Sequence, residues 1–247
     1  MATSQAPSTD SLGGDVPSTR DRLIEAARDL FITQGYSSTG IAQILKTAGA
    51  RSGSLYHFFP TKEDLLLAVL DWYRQNIGPA LLDPIWQRIS DPIERVFGLF
   101  DGYRQMLLFT EFRHGCPIGN LALEVCETLP NARALINRNF DLWLEAVSSC
   151  FDEAAGRLPD GTEPKELAVF VLTTMEGAVM LARSYRSLDP FDVAITQLRD
   201  YVERLLADGS TWASPRTRST VDSPGDKGRA RQTPVNGRGR KGESHDD

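Results

Sequence analysis

The sequence predicts an all-α protein: an N-terminal helix-turn-helix head followed by a longer helical body. Three observations predict it. Between Ser18 and Ala207 apolar residues recur at three- and four-residue spacing almost without interruption. Ser, Thr and Pro stand where these runs begin and Gly where several end, as helix termini require. The 247 residues are 41% hydrophobic and 24% charged, enough apolar material for a sizeable core.

The first helix carries Leu23, Ile24, Ala27, Leu30 and Phe31 on one face. Ser18 with Asp21 forms a capping-box-like start, and Gly35 sits where a left-handed C-cap belongs. A short second helix follows Thr39, its expected N-cap, turns Ile41, Ile44, Leu45 and Ala48 inward, and stops at Gly49. A shorter third segment, from about Arg51 to Phe58, buries Leu55 and is broken by Phe59-Pro60. A fourth helix restarts at Thr61, which caps, with Asp64 replying from the third helical position, and continues through Leu65, Leu66, Ala68, Val69 and Trp72.

A break is expected near Gly78-Pro79 and Pro84. Beyond it the spacing predicts helices near 92–110, 117–127, 132–156, 163–187 and 190–207. Two apolar stripes lie on the last pair. One comprises Leu167, Phe170, Val171, Thr174, Met175, Ala178 and Leu181; the other Phe191, Ala194, Leu198, Tyr201, Val202 and Leu205. Taken alone, these stripes fit the monomer's own core and a subunit interface equally well.

Charge is divided along the chain. The total is −6, yet residues 18–62 hold six Lys/Arg against three Asp/Glu, while residues 63–214 hold 13 against 23. A small basic head on an acidic body suits a local anion contact, because the global field repels nucleic acid. The stretch 1–17 and the mildly basic stretch 209–247 are poor in apolar residues and are expected to be disordered tails. No leader or spanning run is read at the start or within, so no membrane partner is expected. Three cysteines without a C-x-x-C pair exclude a disulfide framework and fit a reducing cytoplasm.

Gly35-Tyr36-Ser37-Ser38-Thr39-Gly40-Ile41, Ile44, Ala48-Gly49-Ala50 and Gly53-Ser54-Leu55-Tyr56-His57-Phe58-Phe59-Pro60-Thr61-Lys62-Glu63-Asp64-Leu65 together resemble the DNA-binding domain of the TetR family of bacterial transcriptional repressors. The resemblance covers about residues 18–78. It departs from the family's pattern at Arg51, where a capping Ser is usual, at Leu45, where Ala is common, and at Phe58, where His or Tyr is common. It implies phosphate or base contacts at Thr39, Ser52, Ser54, Tyr56, His57 and Lys62. Arg51 adds a cation at the helix start, and Gly53 lets the short third helix approach the groove closely. It also implies that residues 79–208 form an effector-binding and dimerisation domain whose last two helices build a bundle between two copies, with Gly177, Ala178 and Ala182 packing closely. The expected partners are therefore a palindromic double-stranded operator, a second copy and a small-molecule effector; no cofactor is expected.

For the effector, Tyr103, Phe112, Trp143 and Met175, with Phe100, Phe109 and Phe151, offer aromatic and flexible surface. Asn120, Glu124, Arg104 or His114 are positioned to orient a polar group. The run Gly115-Cys116-Pro117-Ile118-Gly119-Asn120-Leu121-Ala122, a G-C-x-x-G-N-L-A pattern, resembles a subset of the family that includes regulators of enzymes handling reactive electrophiles and acrylate-like compounds. Pro117 as first helical residue makes Cys116 an N-cap, where the helix field and Arg113 are expected to favour thiolate; the alternative is a small buried apolar side chain. A small-molecule-binding helical enzyme is the competing class. It lacks a phosphate loop, a nucleophile elbow or metal-ligand spacing among the three histidines, so no catalytic or metal residue is assigned.

Overall fold

The computed structural model describes residues 17–207, and the two tails expected from composition lie, but for Pro17, outside the described residues. Ten α-helices follow one another: α1 (Thr19–Gln34), α2 (Ile41–Ala48), α3 (Ser52–Phe58), α4 (Lys62–Ile77), α5 (Asp83–Arg88), α6 (Pro92–Phe109), α7 (Pro117–Val125), α8 (Pro130–Glu153), α9 (Pro164–Tyr185) and α10 (Asp189–Ala207). No strand occurs among the described residues.

Local chemistry sets the ends of the head helices. Ser18 accepts the Asp21 N–H at α1, and Thr61 and Asp64 close a reciprocal capping box at α4. Gly49 ends α2 in the left-handed conformation, as its sequence position requires. Gly35 departs from expectation: φ is +87° but ψ is 162°, a conformation open to glycine and hardly to any other residue. The N-cap of α2 is also corrected. Gly40 occupies it, and Thr39 turns inward, its hydroxyl donating to the Gly35 carbonyl at 2.6 Å.

The expected break at Gly78-Pro79 and Pro84 does not occur. A π-helical turn over Gly78–Leu82 carries α4 directly into α5. Wider i→i+5 bonding absorbs a proline whose missing N–H and bulky ring an α-helix would not tolerate, and Pro84 falls in the first turn of α5, where its missing donor is harmless.

Leu23, Phe31, Ile44, Leu55 and Leu65 form the head's share of the core and are essentially inaccessible to water. The body is built around α8, which packs against α4, α6, α7 and α9. Asn139 of α8 is buried and donates to the carbonyls of Leu70 on α4 and Leu135, tying head and body together. An 18-residue stretch of α9 reaches a mean hydropathy of 1.4, apolar enough for a membrane span by composition alone. Its Leu167, Val171, Met175, Ala178 and Ala182 are buried in the body, so one side of this apolar helix is a core face.

The two stripes divide. Leu167, Val171, Met175, Ala178, Phe191, Leu198, Val202 and Leu205 serve the monomer's own core. Val169, Phe170, Met180, Leu181, Tyr185, Val193 and Tyr201 remain exposed, and Phe170 meets Tyr201 edge-on at 5.4 Å across α9 and α10.

Candidate functional site

Two places carry chemistry: the outer face of α3 and a cavity beside Cys116. Leu55 anchors α3 as its one buried residue. Arg51, Ser52, Gly53, Tyr56 and His57 are exposed, and Ser54 is half-buried. Tyr56, at 54% exposure, and Phe58 are large side chains left in solvent. Arg51 is the N-cap of α3 and makes no side-chain capping bond, so its guanidinium is available to a partner. Six of the eight expected contact residues are therefore accessible around α3, five of them exposed and Ser54 half-buried.

The other two point elsewhere. Thr39 is 1% exposed, and its hydroxyl is committed to Gly35 and to the Gln34 amide at 3.1 Å, so burial removes it from any surface contact. The Lys62 ammonium donates to the Tyr36 carbonyl at 2.6 Å and lies 4.1 Å from the centre of the Tyr36 ring. Burial lowers its pKa, and the Glu124 charge partly restores it. At the start of α4 the Asp64 N–H is engaged by Thr61 and the Thr61 N–H by Asp64.

Between α7, α8 and α9 lies a cavity of about 380 Å³ lined by Cys116, Gly119, Asn120, Ala122, Leu123, Phe140, Glu176, Gly177, Val179, Met180 and Arg183. Its walls are mostly apolar, with a few convergent polar groups, as small-molecule sites are. Two of those groups lack partners: Glu176 Oε1 and Arg183 Nε are buried without a hydrogen bond among the described residues. Arg183 otherwise donates to Asn120 Oδ1 at 2.8 Å and to the Arg113 carbonyl at 3.3 Å. Orphaned buried polar atoms are costly and rare, so these two stand out. Two further recesses occur among the described residues. One of about 210 Å³ has Tyr103, His114 and Pro117 in its wall; the other, of about 460 Å³, has Phe112, Arg113, Arg183 and Arg186.

Cys116 does cap α7, accepting the Gly119 N–H on its sulfur at 3.4 Å. Its expected thiolate character is overturned. Burial pushes the thiol well above its ordinary value, the Glu176 carboxyl pushes it further, and the Gly119 and Ile118 N–H groups offset only part of this. Arg113, the expected stabilising cation, instead binds Glu111 and the Thr110 carbonyl at the surface. Burial likewise raises Glu176 and Tyr103. Among the other expected pocket residues, Trp143 and Met175 are core residues that line none of the three cavities, and Phe109 is 90% exposed. Arg104 pairs with Asp192 at 2.9 Å. Glu124 faces the head rather than the cavity, where it accepts the N–H groups of Tyr36 and Ser37. Sequence reasoning missed Glu176 and Arg183; two ionisable residues seven apart on an apolar helix were the available signal.

The family described as bacterial regulatory proteins, tetR family, is matched over residues 23–69, and the LmrA/YxaF-like transcriptional regulator C-terminal domain over residues 92–197. An uncharacterized HTH-type transcriptional regulator of Mycobacterium tuberculosis (strain H37Rv) is 33% identical over 190 residues, covering 73% of this chain and 92% of that one. The uncharacterized HTH-type transcriptional regulator YxaF of Bacillus subtilis is 31% identical over 180 residues, covering 72% of this chain and 92% of that one. The crystal structure of regulatory protein TetR from Rhodobacter sphaeroides shares the fold with a TM-score of 0.68 and 29% identity, covering 74% of this chain and 98% of that one.

Proposed function

The chain belongs to the TetR family of bacterial regulatory proteins, and from that premise we propose that it is a ligand-responsive transcriptional repressor. It binds a palindromic operator as a homodimer in the cytoplasm and leaves it when a small molecule fills the cavity beside Cys116. The observation that carries the reading is the face of α3. A seven-residue helix anchored only by Leu55 keeps Arg51, Ser52, Gly53, Ser54, Tyr56 and His57 outward, the residue types that meet phosphates and base edges in a major groove. In this role Thr39 and Lys62 hold the head's shape rather than touch DNA.

One short recognition helix covers too few base pairs for a specific site, so two heads are needed. The exposed apolar side chains Phe170, Leu181, Tyr185 and Tyr201 on α9 and α10, of which Phe170 and Tyr201 touch, support the pairing, because large apolar side chains grouped on two helices and left in water suit an association face. Release follows when a ligand binds one arrangement of the body better than the other. The unpartnered Glu176 and Arg183 atoms support a ligand with a polar group on an otherwise apolar frame, and the buried thiol supports noncovalent recognition. The functional division is thus a head over 18–78 and a body over 79–208.

Mapping the genomic DNA bound by the protein, followed by titration of a bound fragment, tests the reading. The expected result is a small set of inverted-repeat sites, with binding abolished by substituting Tyr56 and His57 together. Sequence-independent binding refutes it.

A further inference from the structure

Glu124 stands in the last turn of α7, far in sequence from the DNA-binding head, yet its carboxylate accepts two successive head N–H groups. Tyr36 donates at 2.8 Å and Ser37 at 2.6 Å. Burial alone raises this carboxyl, but the two backbone donors and the Lys62 charge outweigh it and hold the pKa below its ordinary value. The turn is shaped for this contact. At Gly35 a Cβ would lie 3.2 Å from both Glu124 oxygens, and the φ of +87° excludes other residues in any case. From the opposite side Lys62 takes the Tyr36 carbonyl at 2.6 Å. The α1–α2 turn, which sets where α2 and α3 point, is therefore held by its donors from the body and by its acceptor from α4.

Cys116 caps the other end of α7, and Gly119, Asn120, Ala122 and Leu123 line the cavity along most of the helix. Nine residues of helix form a stiff rod about 13 Å long. The loop that feeds its cavity end holds Glu111 and Phe112 in left-handed backbone conformation, φ 51° and 59°, a geometry that persists only while neighbours enforce it. Arg186 bonds the Glu111 carbonyl at 2.8 Å and Arg183, itself a cavity residue, bonds the Arg113 carbonyl. One end of the rod is thus poised on a strained, arginine-held loop beside the cavity, and the other is fastened to the head.

We propose that Glu124 is a positioning residue for operator binding: through it α7 fixes the α1–α2 turn, and displacement at the cavity end of α7 reaches the head as altered placing of α2 and α3. The inference rests on the cavity being the effector site. Ligand contact with Gly119, Asn120 or Arg183 moves the rod; the carboxylate carries the motion across the head–body boundary because its two charge-assisted bonds are directional.

The test uses the full-length protein and an operator fragment selected with the unaltered protein. Glu124→Ala is expected to weaken operator binding at least fivefold and to accelerate amide exchange at Tyr36 and Ser37 at least tenfold, with exchange in α8 and α9 unchanged. Glu124→Gln, which keeps one acceptor, is expected to fall between. A cavity-filling change on the opposite wall, Val179→Phe, stands in for the ligand. It is expected to weaken operator binding at least tenfold in the unaltered background and less than twofold when Glu124→Ala is present. Unchanged affinity and exchange in Glu124→Ala overturn the positioning role while leaving the cavity reading intact. A Val179→Phe protein that binds operator normally overturns the cavity reading and the coupling with it. Equal weakening by Val179→Phe in both backgrounds overturns transmission through Glu124.

Discussion

Alkylation of the native cysteines separates a thiol sensor from a noncovalent pocket. The perturbation is N-ethylmaleimide at pH 7.5, and the assay is site-resolved mass spectrometry over time, in native protein and in protein unfolded in guanidinium. Cys150 sets the scale: burial pushes its thiol from 9.0 to about 11, leaving about a hundredfold less thiolate than an ordinary thiol at this pH. Cys116 is pushed higher still by burial and by Glu176, and its side chain is closed to solvent. It should therefore react more than a hundredfold slower in the native protein than in the unfolded chain. Half-buried Cys126 should be the first modified. Glu176→Gln removes the negative neighbour and should speed Cys116 several-fold without making it the fastest site. Native modification of Cys116 within tenfold of its unfolded rate refutes the reasoning and restores Cys116 as a direct electrophile sensor.

Three other outcomes are expected. Phe170→Glu places a charge in the exposed patch on α9 and should convert the protein to a monomer by light scattering at micromolar concentration, with helical circular dichroism unchanged. Lys62→Met loses the bond to the Tyr36 carbonyl and the contact with its ring and should lower stability to urea by about 1–2 kcal/mol, as such interactions typically contribute. The slope of log affinity on log salt should then fall by clearly less than the roughly 0.9 that one phosphate contact contributes. Acid should loosen the head. The Glu124 pKa is held below 4.5 in the folded protein, so its stabilisation is complete above that value and is lost as pH falls through the lower folded value. Urea midpoints taken from pH 7 to 3.5 should decline below 4.5, and less steeply in Glu124→Gln.

Much of the head was legible because its signals are local. Ser18 with Asp21, Gly49, and Thr61 with Asp64 all act within one helical turn, so residue identity and spacing suffice to place them. The outward face of α3 follows from Leu55 being the one apolar anchor in a seven-residue helix. Failures came where two local rules competed. Proline normally ends a helix, but a π-turn accommodates Pro79, and Leu81 and Leu82 of that turn pack against the core. Thr39 has the right chemistry for a cap, yet the carbonyl left open by the Gly35 conformation claims its hydroxyl.

By itself the sequence determined the helical class, the helix-turn-helix with its anchors and most of its caps, the exposed side of α3, and Cys116 as the cap of α7, because periodicity and capping are properties of neighbouring residues. Tertiary structure alone determined which ionisable groups meet. Whether Cys116 is a thiolate depends on burial and on Glu176, 60 residues away; whether Glu124 faces a ligand or the head depends on how α7 lies against α1. It also divided the apolar stripes of α9 and α10 between core and surface, since a helix wide in apolar residues has two faces to bury and only the packed body shows which is already covered. Electrostatic environment and burial are sums over the whole fold, and no window of sequence contains them.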